Sequence, residues 1–481
     1  MRADLLFYCP TTVFMKPSFK LTLPDTVERV ECVLADFTSI ARGKTVGVAD
    51  FLSMQGCRMS SAVLGVTLTT GVPSDVMGPI VPTSFTDLHM VADMSTCTLR
   101  PGRPQEATVI CDSMGDLHTA ANGEHIGATD LSPRSALKKV LARLDAMGLQ
   151  ATVAPELEFF LLSRNTGDNS FHSATTHPVV AASPWPGAPV GEVFTECNSV
   201  ERCAGFDAFF DDLYAGCKTL GIPATGHAHE ASFSQFEVNF APGPVLAQAD
   251  AVFRFKRLVR EVAAKHGFIG SFAPKPIDDD PGCGMHWHIS LQHTDGRAWP
   301  HVFANVQGDN APELQHFIAG MQRQTHSAMA IFAPYDMSYE RINHSDANPT
   351  HATVGEEDRG VALRVPLSSA AARRVENRLP GGDSSPYLTL AAMLGSGMDG
   401  LEEGRQHNLH AIPNDQTEAL RLPSNLPQAL DALRASADMR RHLGSHLVDA
   451  YVGIKRHEHA ERAALANPRL EWDFRHLLHL A

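Results

Sequence analysis

Two glutamates spaced two apart inside an apolar run constrain this chain more than any other feature. The run reads VAPELEFFLL, from Val153 to Leu162. Apolar flanks this dense mark a buried β-strand, and successive strand side chains alternate between faces. Glu156 and Glu158 then point the same way, with Leu157 and Phe159 on the opposite face. Close carboxylates raise each other's pKa unless a cation lies between them. A solvent-exposed strand face would also accommodate the pair, but the flanks argue for burial.

His286 and His288 repeat this geometry in GMHWHISL, with Trp287 opposite them. Imidazole is the commonest transition-metal ligand, although a lone histidine in such a strand is more often a satisfied core residue. Glu230 and Glu237 lie in HEASFSQFEVNF. Seven residues apart on one straight strand they would face opposite ways. They serve one site only if the chain bends between them, and Ser232–Ser234 is the candidate turn. Each alone reads as an ordinary surface carboxylate.

A fourth segment is ARRVENRLPGGDSSPYLTLAAML. Arg373, Arg374 and Arg378 bracket Glu376, and Arg374, Glu376 and Arg378 share a face if the segment is a strand. Alternating charge is usually a salt-bridged surface. Cations beside a metal-binding carboxylate also suit phosphate and carboxylate substrates. Arg341, Arg359 and Arg364 add positive charge upstream. The chain carries no Walker loop, GxGxxG fingerprint or GxSxG elbow. A nucleotide would therefore have to be held by metals and arginines.

The remaining sequence sets the frame. At 481 residues with 43% hydrophobic content, the chain is long enough for two or more domains around a large core. A formal net charge of −14 without basic blocks argues against nucleic acid or an anionic membrane as partner, and weakly favours cationic ligands. The first residues read as a mature N-terminus, broken by Pro10, Lys16 and Pro17. No apolar run approaches the roughly 20 residues of a membrane span. The nine cysteines are odd in number and scattered without CxxC, which fits reduced thiols in a cytoplasmic protein.

Val27 to Val48 reads as strand, turn, strand, and short strands continue to about Cys111, giving a β-rich N-terminal domain over residues 1–115. Residues 116–481 read as an α+β domain. Ser132, Pro133 and Gly148 bound one helix, and FDAFFDDLYAGCKTLG and AQADAVFRFKRLVREVAAKHG read as two more. Antiparallel-looking strands lie between helices, and the C-terminal third is mainly helical.

Taken in order, PELEFF, HEASFSQFE, FAPKPIDDDPGCGMHWHISL, VGEEDRGVALRVP and RRVENRLPGGDSSPYLTLAAML resemble the glutamine synthetase superfamily from about Pro155 to Leu394. Weaker similarity extends from DFTSIARGK to EWDFRHLL. ENRLPGGDSSPYL looks more like γ-glutamylpolyamine synthetases and related γ-glutamylamide ligases than like true glutamine synthetases. The resemblance implies a small β-grasp N-terminal domain and a large catalytic domain with a curved antiparallel sheet. It also implies a hexameric ring or dodecamer with active sites between subunits.

The same resemblance assigns Glu158, Glu230 and Glu237 to one divalent ion, and Glu156, His286 and Glu376 to another. It implies Mg2+ or Mn2+, two to three per site, with ATP as co-substrate. Arg359, Arg364 and Arg374 match phosphate and transition-state cations. Arg341 and Arg378 match the residues that hold the glutamate carboxylates, Gly282 lines that pocket, and His288 and Ser290 match nucleotide-side positions. Asp36, from a neighbouring subunit, matches the group that deprotonates the incoming amine. Arg341 and Arg359 are expected to act in catalysis as well as binding.

The sequence departs from the family at several points. A flap glutamate that helps bind ammonium aligns with Ala347, beside Asp346. Asn-Gly-Ser is replaced by Pro281-Gly282-Cys283, WG…NR by Val354-Gly355…Asp358-Arg359, and a nucleotide-side lysine by Ala371. The missing flap carboxylate points to an organic amine, a polyamine or small monoamine, as acceptor. The acidic run Asp278–Asp280 could attract such a cation, although an exposed loop is its ordinary reading. The alternatives are a true glutamine synthetase and a non-catalytic structural or regulatory relative. A guanidino kinase is disfavoured by the N-terminal segment and the complete γ-glutamyl ligase pattern.

Overall fold

Burial of the VAPELEFFLL run organises the largest of the three sheets among the described residues. The structure is a computed structural model describing residues 23–81, 84–119, 123–164, 179–183, 197–278, 280–344, 348–407 and 410–480. The leader to residue 22, Asp279, Asp346, Ala347 and most of the polar stretch after Ser163 lie outside the described residues.

The run forms the middle of a sixteen-residue strand, Leu149–Arg164. Leu157 and Phe159 are wholly buried on one face. Phe159 packs on Phe209, Phe236, Phe255 and Phe272, with ring centroids 5.8–6.3 Å apart. Phe209 and Phe255 come from the helices Asp207–Leu220 and Val245–Lys265, so these two helices cover that face. The opposite face carries Glu156 and Glu158.

Around this strand the sheet runs in the order Ala224–His229, Gln235–Phe240, Leu149–Arg164, Met285–His293, Val375–Asn377, Leu363–Val365, Val354–Glu356. Val179–Ala181, Gly243–Pro244 and Ile269–Ser271 also pair with the central strand. The pairs are antiparallel except the last, where Val354–Glu356 runs parallel to Leu363–Val365. The expectation of an antiparallel sheet is corrected there. The parallel pair is an outermost three-residue strand reached through Glu357, whose φ is 53°. An edge strand needs hydrogen bonds on one side only, so it tolerates such irregularity.

The segment from Ala224 to Phe240 is a hairpin, not one strand. Its turn includes Ser234 at φ 46°, and the Glu230 N–H donates to Gln235 O at 2.8 Å. The bend between Glu230 and Glu237 falls at Ser232–Ser234, the candidate turn of the sequence reading.

The first sheet is mixed. Arg29–Ala35 pairs antiparallel with Ala41–Gly47 and parallel with Arg103–Met114, followed by Asp87–Ala92 and Gly56–Ser60. The strand–turn–strand reading of residues 27–48 holds. Its hydrophobic side is continuous with that of the larger sheet: Val30, Cys32 and Val109 belong to the same buried cluster as Leu137, Phe159 and Trp287.

Helix boundaries follow the local signals. Ser132 Oγ accepts the Ser135 N–H at 3.2 Å and opens Pro133–Ala146, and Gly148 closes the turn at φ 69°. Gly221, at φ 67°, ends Asp207–Leu220. Pro312–Phe332 packs on Pro386–His407 where two glycines meet, because a Cβ on Gly320 would lie 2.6 Å from Gly400 Cα. Leu426–Ala435, Ala437–Leu443 and Ser445–Ala463 make the C-terminal part helical. Among the described residues no helix is long and apolar enough to cross a membrane.

Candidate active site

Strand register assembles the site. Residues directly opposite each other on paired strands project to the same face. Glu158 stands opposite Glu237, and Glu156 opposite His286. His288 stands opposite Glu376, and Glu376 opposite Arg364. Ser290, two residues beyond His288, continues the row opposite Thr152. Five neighbouring strands thus bring acids, histidines and arginines to one surface.

The side chains interlock at its centre. His286 Nδ1 lies 3.7 Å from both Glu156 Oε2 and Glu376 Oε1, and its Nε2 lies 3.8 Å from Glu158 Oε1. His288 Nε2 is 3.0 Å from Glu156 Oε1. Two triads have ligand atoms all within 4.8 Å of one another: Glu156, Glu237 and His286, and Glu156, His288 and Glu376. His288, matched by resemblance to a nucleotide-side position, therefore also stands among the potential metal ligands.

The electrostatics of the two ends differ. Burial and the Glu158 carboxylate push Glu230 up to about 7, against the pull of the Ala231 N–H and the Arg359 charge. Burial, with Glu156, Glu158 and Glu230 nearby, pushes Glu237 up to about 8. At the other end burial also favours the neutral acid, but His286 and His288 hold Glu156 well below the usual carboxylate range. Glu376, likewise buried, is held low by His286, His288 and Arg378. Crowded carboxylates with raised pKa values are what a divalent cation relieves. The donor set, mostly carboxylate oxygens with imidazole, fits a hard divalent ion.

Arginines frame the acids. Arg364 and Arg378 clamp Glu376 from two sides, at 2.8 and 2.7 Å. Arg374 Nε donates to His288 Nδ1 at 3.2 Å. Arg374, Glu376 and Arg378 therefore share a face, as the alternation required, while Arg373 is tied to Asn310 and Gly308 O. Arg359 is exposed, and its carbonyl accepts the Arg378 Nε–H at 3.0 Å. Ser290 Oγ donates to Thr152 O at 3.5 Å.

Arg341 is almost completely buried, at 3% exposure, and donates to Leu379 O at 3.1 Å. Gly282 must be glycine, because a Cβ there would lie 1.8 Å from Pro274 O and 3.0 Å from Arg341 Cγ. Asp36 is not joined to the acidic cluster by its own contacts. It accepts from Thr38 N (2.9 Å), Thr38 Oγ1 (2.7 Å) and Ile40 N (2.9 Å), and pairs with Arg42 at 2.8 Å. Asp278, in the acidic run, pairs with Arg469 at 2.6 Å.

Sequence reasoning passed over Gln235 and Asn239. Gln235 Nε2 donates to Glu158 Oε2 and Gly282 O, both at 3.1 Å, and Asn239 Nδ2 donates to Glu237 Oε1 at 2.9 Å. Period-two spacing around Glu237 places both on its face, and that signal was available.

Comparison with known proteins agrees with this construction. The family model described as glutamine synthetase, catalytic domain, matches residues 130–475. The chain is 29% identical to a gamma-glutamylputrescine synthetase, PuuA, of Escherichia coli (strain K12), over 93% of this chain and 92% of that protein. It is 27% identical to a glutamate–isopropylamine ligase of a Pseudomonas species, over 92% and 89% of the two chains. A solved structure described as a novel glutamine synthase homolog superposes with a TM-score of 0.74 at 25% identity, covering 96% of this chain and all of that one. With its catalytic-domain match spanning both the acidic face and the helices behind it, the chain belongs to the glutamine synthetase family.

Proposed function

We propose that this protein is an ATP-dependent ligase joining the γ-carboxyl of glutamate to an organic amine through γ-glutamyl phosphate. The observation that carries this reading is the single sheet face on which Glu158, Glu237, Glu156, His286, His288 and Glu376 align beside Arg364, Arg374 and Arg378. Two relatives bear glutamate–amine ligase names, which supports an organic amine as acceptor. The alignment of Ala347 with the ammonium-binding flap glutamate supports the same choice.

In this reading Glu158, Glu230 and Glu237 hold one ion and Glu156, His286 and Glu376 the other, as Mg2+ or Mn2+, two to three per site. Bound there, the ions offset phosphate charge. Arg359, Arg364 and Arg374 hold the ATP phosphates, with His288 and Ser290 on the nucleotide side. Arg341 and Arg378 hold the glutamate carboxylates, with Gly282 against Arg341. A γ-carboxylate oxygen attacks the γ-phosphorus and ADP leaves. Asp36 of a neighbouring subunit takes a proton from the incoming ammonium group; the neutral amine then attacks the acyl carbon and expels phosphate, which carries off the second N–H proton.

The role of Asp36 requires a neighbouring subunit, and the family resemblance implies one within a ring, hexameric or dodecameric. Residues 1–115 serve as the β-grasp domain that carries Asp36 to the next subunit, and residues 116–481 form the catalytic domain. The protein acts in the cytoplasm.

Hydroxylamine tests the acyl phosphate directly, because it captures activated acyl groups without any natural amine. Incubation with ATP, Mg2+, glutamate and hydroxylamine is expected to yield γ-glutamyl hydroxamate and stoichiometric ADP. Absence of both overturns the reading.

A further inference from the structure

Arg341 is a buried cation whose set of partners is incomplete among the described residues. Among the described residues its two terminal nitrogens reach only the backbone carbonyls of Leu379 (3.1 Å) and Arg378 (3.5 Å), and its buried Nε has no hydrogen-bond partner. Among the described residues no carboxylate forms an ion pair with it. A guanidinium withdrawn from water needs a nearby counter-charge.

Asp383 is the interior acid that fits. It is 1% exposed. Its Oδ2 accepts the Ser338 hydroxyl at 2.5 Å, while Oδ1 is buried without a partner. Ser338 lies one turn before Arg341 on the same short helix, Asp336–Ile342, and its Oγ also accepts the Tyr335 N–H at 3.1 Å. Asp383 thus fastens the start of the helix that carries Arg341. Gly381 leaves the space between the two charges clear: a Cβ there would meet Asp383 Oδ1 at 2.2 Å and Arg341 NH1 at 3.6 Å. Lys256 is a second buried cation near Asp383, its Nζ donating to Ser384 O at 2.8 Å; burial raises the Asp383 pKa, and the Ser338 hydroxyl and the charges of Arg341 and Lys256 oppose that rise.

We propose that Asp383 is the positioning residue for Arg341, fixing its guanidinium through charge across Gly381 and through Ser338 on its helix. The consequence for glutamate rests on the reading that Arg341 holds that substrate. Burial lowers the Arg341 pKa, and Glu158 and Asp383 are the carboxylates that oppose this. Asp383 acts without touching substrate, so its loss is expected to fall on glutamate and spare ATP.

The test uses the full chain and the variants Asp383→Asn, Asp383→Glu, Ser338→Ala, Arg341→Ala and the double variant D383N/R341A. Steady-state KM for glutamate and for ATP is measured in the hydroxamate assay, alongside the thermal midpoint. D383N is expected to raise the glutamate KM about tenfold or more, as loss of a buried charge partner does. The ATP KM should stay unchanged, D383E should recover part of the loss, and the double variant should be no worse than R341A. S338A, which keeps the carboxylate and removes one hydrogen bond, covers the case in which D383N does not fold, and should shift the glutamate KM in the same direction by less. Equal changes in both KM values, or additive losses in the double variant, overturn the proposal. If the wild type forms no hydroxamate, the reading of the site fails on its own. The double-variant cycle on thermal midpoints then decides the Asp383–Arg341 link: non-additive upholds it, additive overturns it.

Discussion

Glu158 and Glu237 stand directly opposite each other on neighbouring antiparallel strands, two carboxylates in register. Like charges so placed destabilise a sheet. Glu230, across the hairpin turn, adds a third carboxyl group near them. The arrangement makes sense as a site whose charge is balanced by a bound cation.

The pH dependence follows with a definite sign. Glu230 and Glu237 are raised from 4.5 to about 7 and about 8. The folded chain therefore holds protons that the unfolded chain releases. Their contribution to stability is fully present below 4.5 and is lost as pH rises through 7 to 8. In EDTA the thermal midpoint is expected to fall between pH 6 and pH 8.5. Millimolar Mg2+ or Mn2+ should reverse the fall, with the larger gain at the higher pH, because ions and protons compete for the same oxygens. A midpoint insensitive to metal across this range would count against the site.

Glu376 is fully buried between Arg364 and Arg378. Glu376→Gln leaves both arginines without their shared partner. Breaking a buried ion cluster costs about 3–5 kcal/mol, and each arginine here keeps some water contact, so the lower end is expected. Denaturant unfolding measures the loss. Hydroxamate formation should fall at least about a hundredfold, since the same carboxylate is assigned to an ion.

Gly282→Ala forces a methyl group to within 1.8 Å of Pro274 O and against Arg341 Cγ. The backbone must shift, at a cost of about 1–3 kcal/mol by analogy with overpacked cores. Displacement of Arg341 should also raise the glutamate KM while leaving the ATP KM near its wild-type value. Paired kinetics and unfolding curves check both parts.

Much of the site could be read from the sequence because strand alternation is a strict rule. Glu156 with Glu158, His286 with His288, and Arg374 with Glu376 and Arg378 each follow from period two. Which strands lie side by side is not written in any one segment. The Glu158–Glu237 and His288–Glu376 pairings depend on sheet order, so the residues could be grouped only by family resemblance. The turn at Ser232–Ser234 could be named only as a candidate, and the family resemblance supplied the bend, since Ser234 adopts a left-handed backbone without being glycine or asparagine. The parallel edge pair at Val354–Glu356 was missed because three-residue strands carry too little pattern to fix direction. Asp383 escaped because PGGDSSP reads as a loop, and its role depends on packing against Ser338 and Gly381.

On the proposed reading, this face activates glutamate for an organic amine. The most direct measurement is phosphate release from ATP with Mg2+ and glutamate against ammonium, ethanolamine, putrescine, spermidine, short alkylamines and aromatic amines, with products identified by mass. An organic amine turned over far better than ammonium, yielding its γ-glutamylamide, is the predicted result. Ammonium as the best substrate, yielding glutamine, would contradict it.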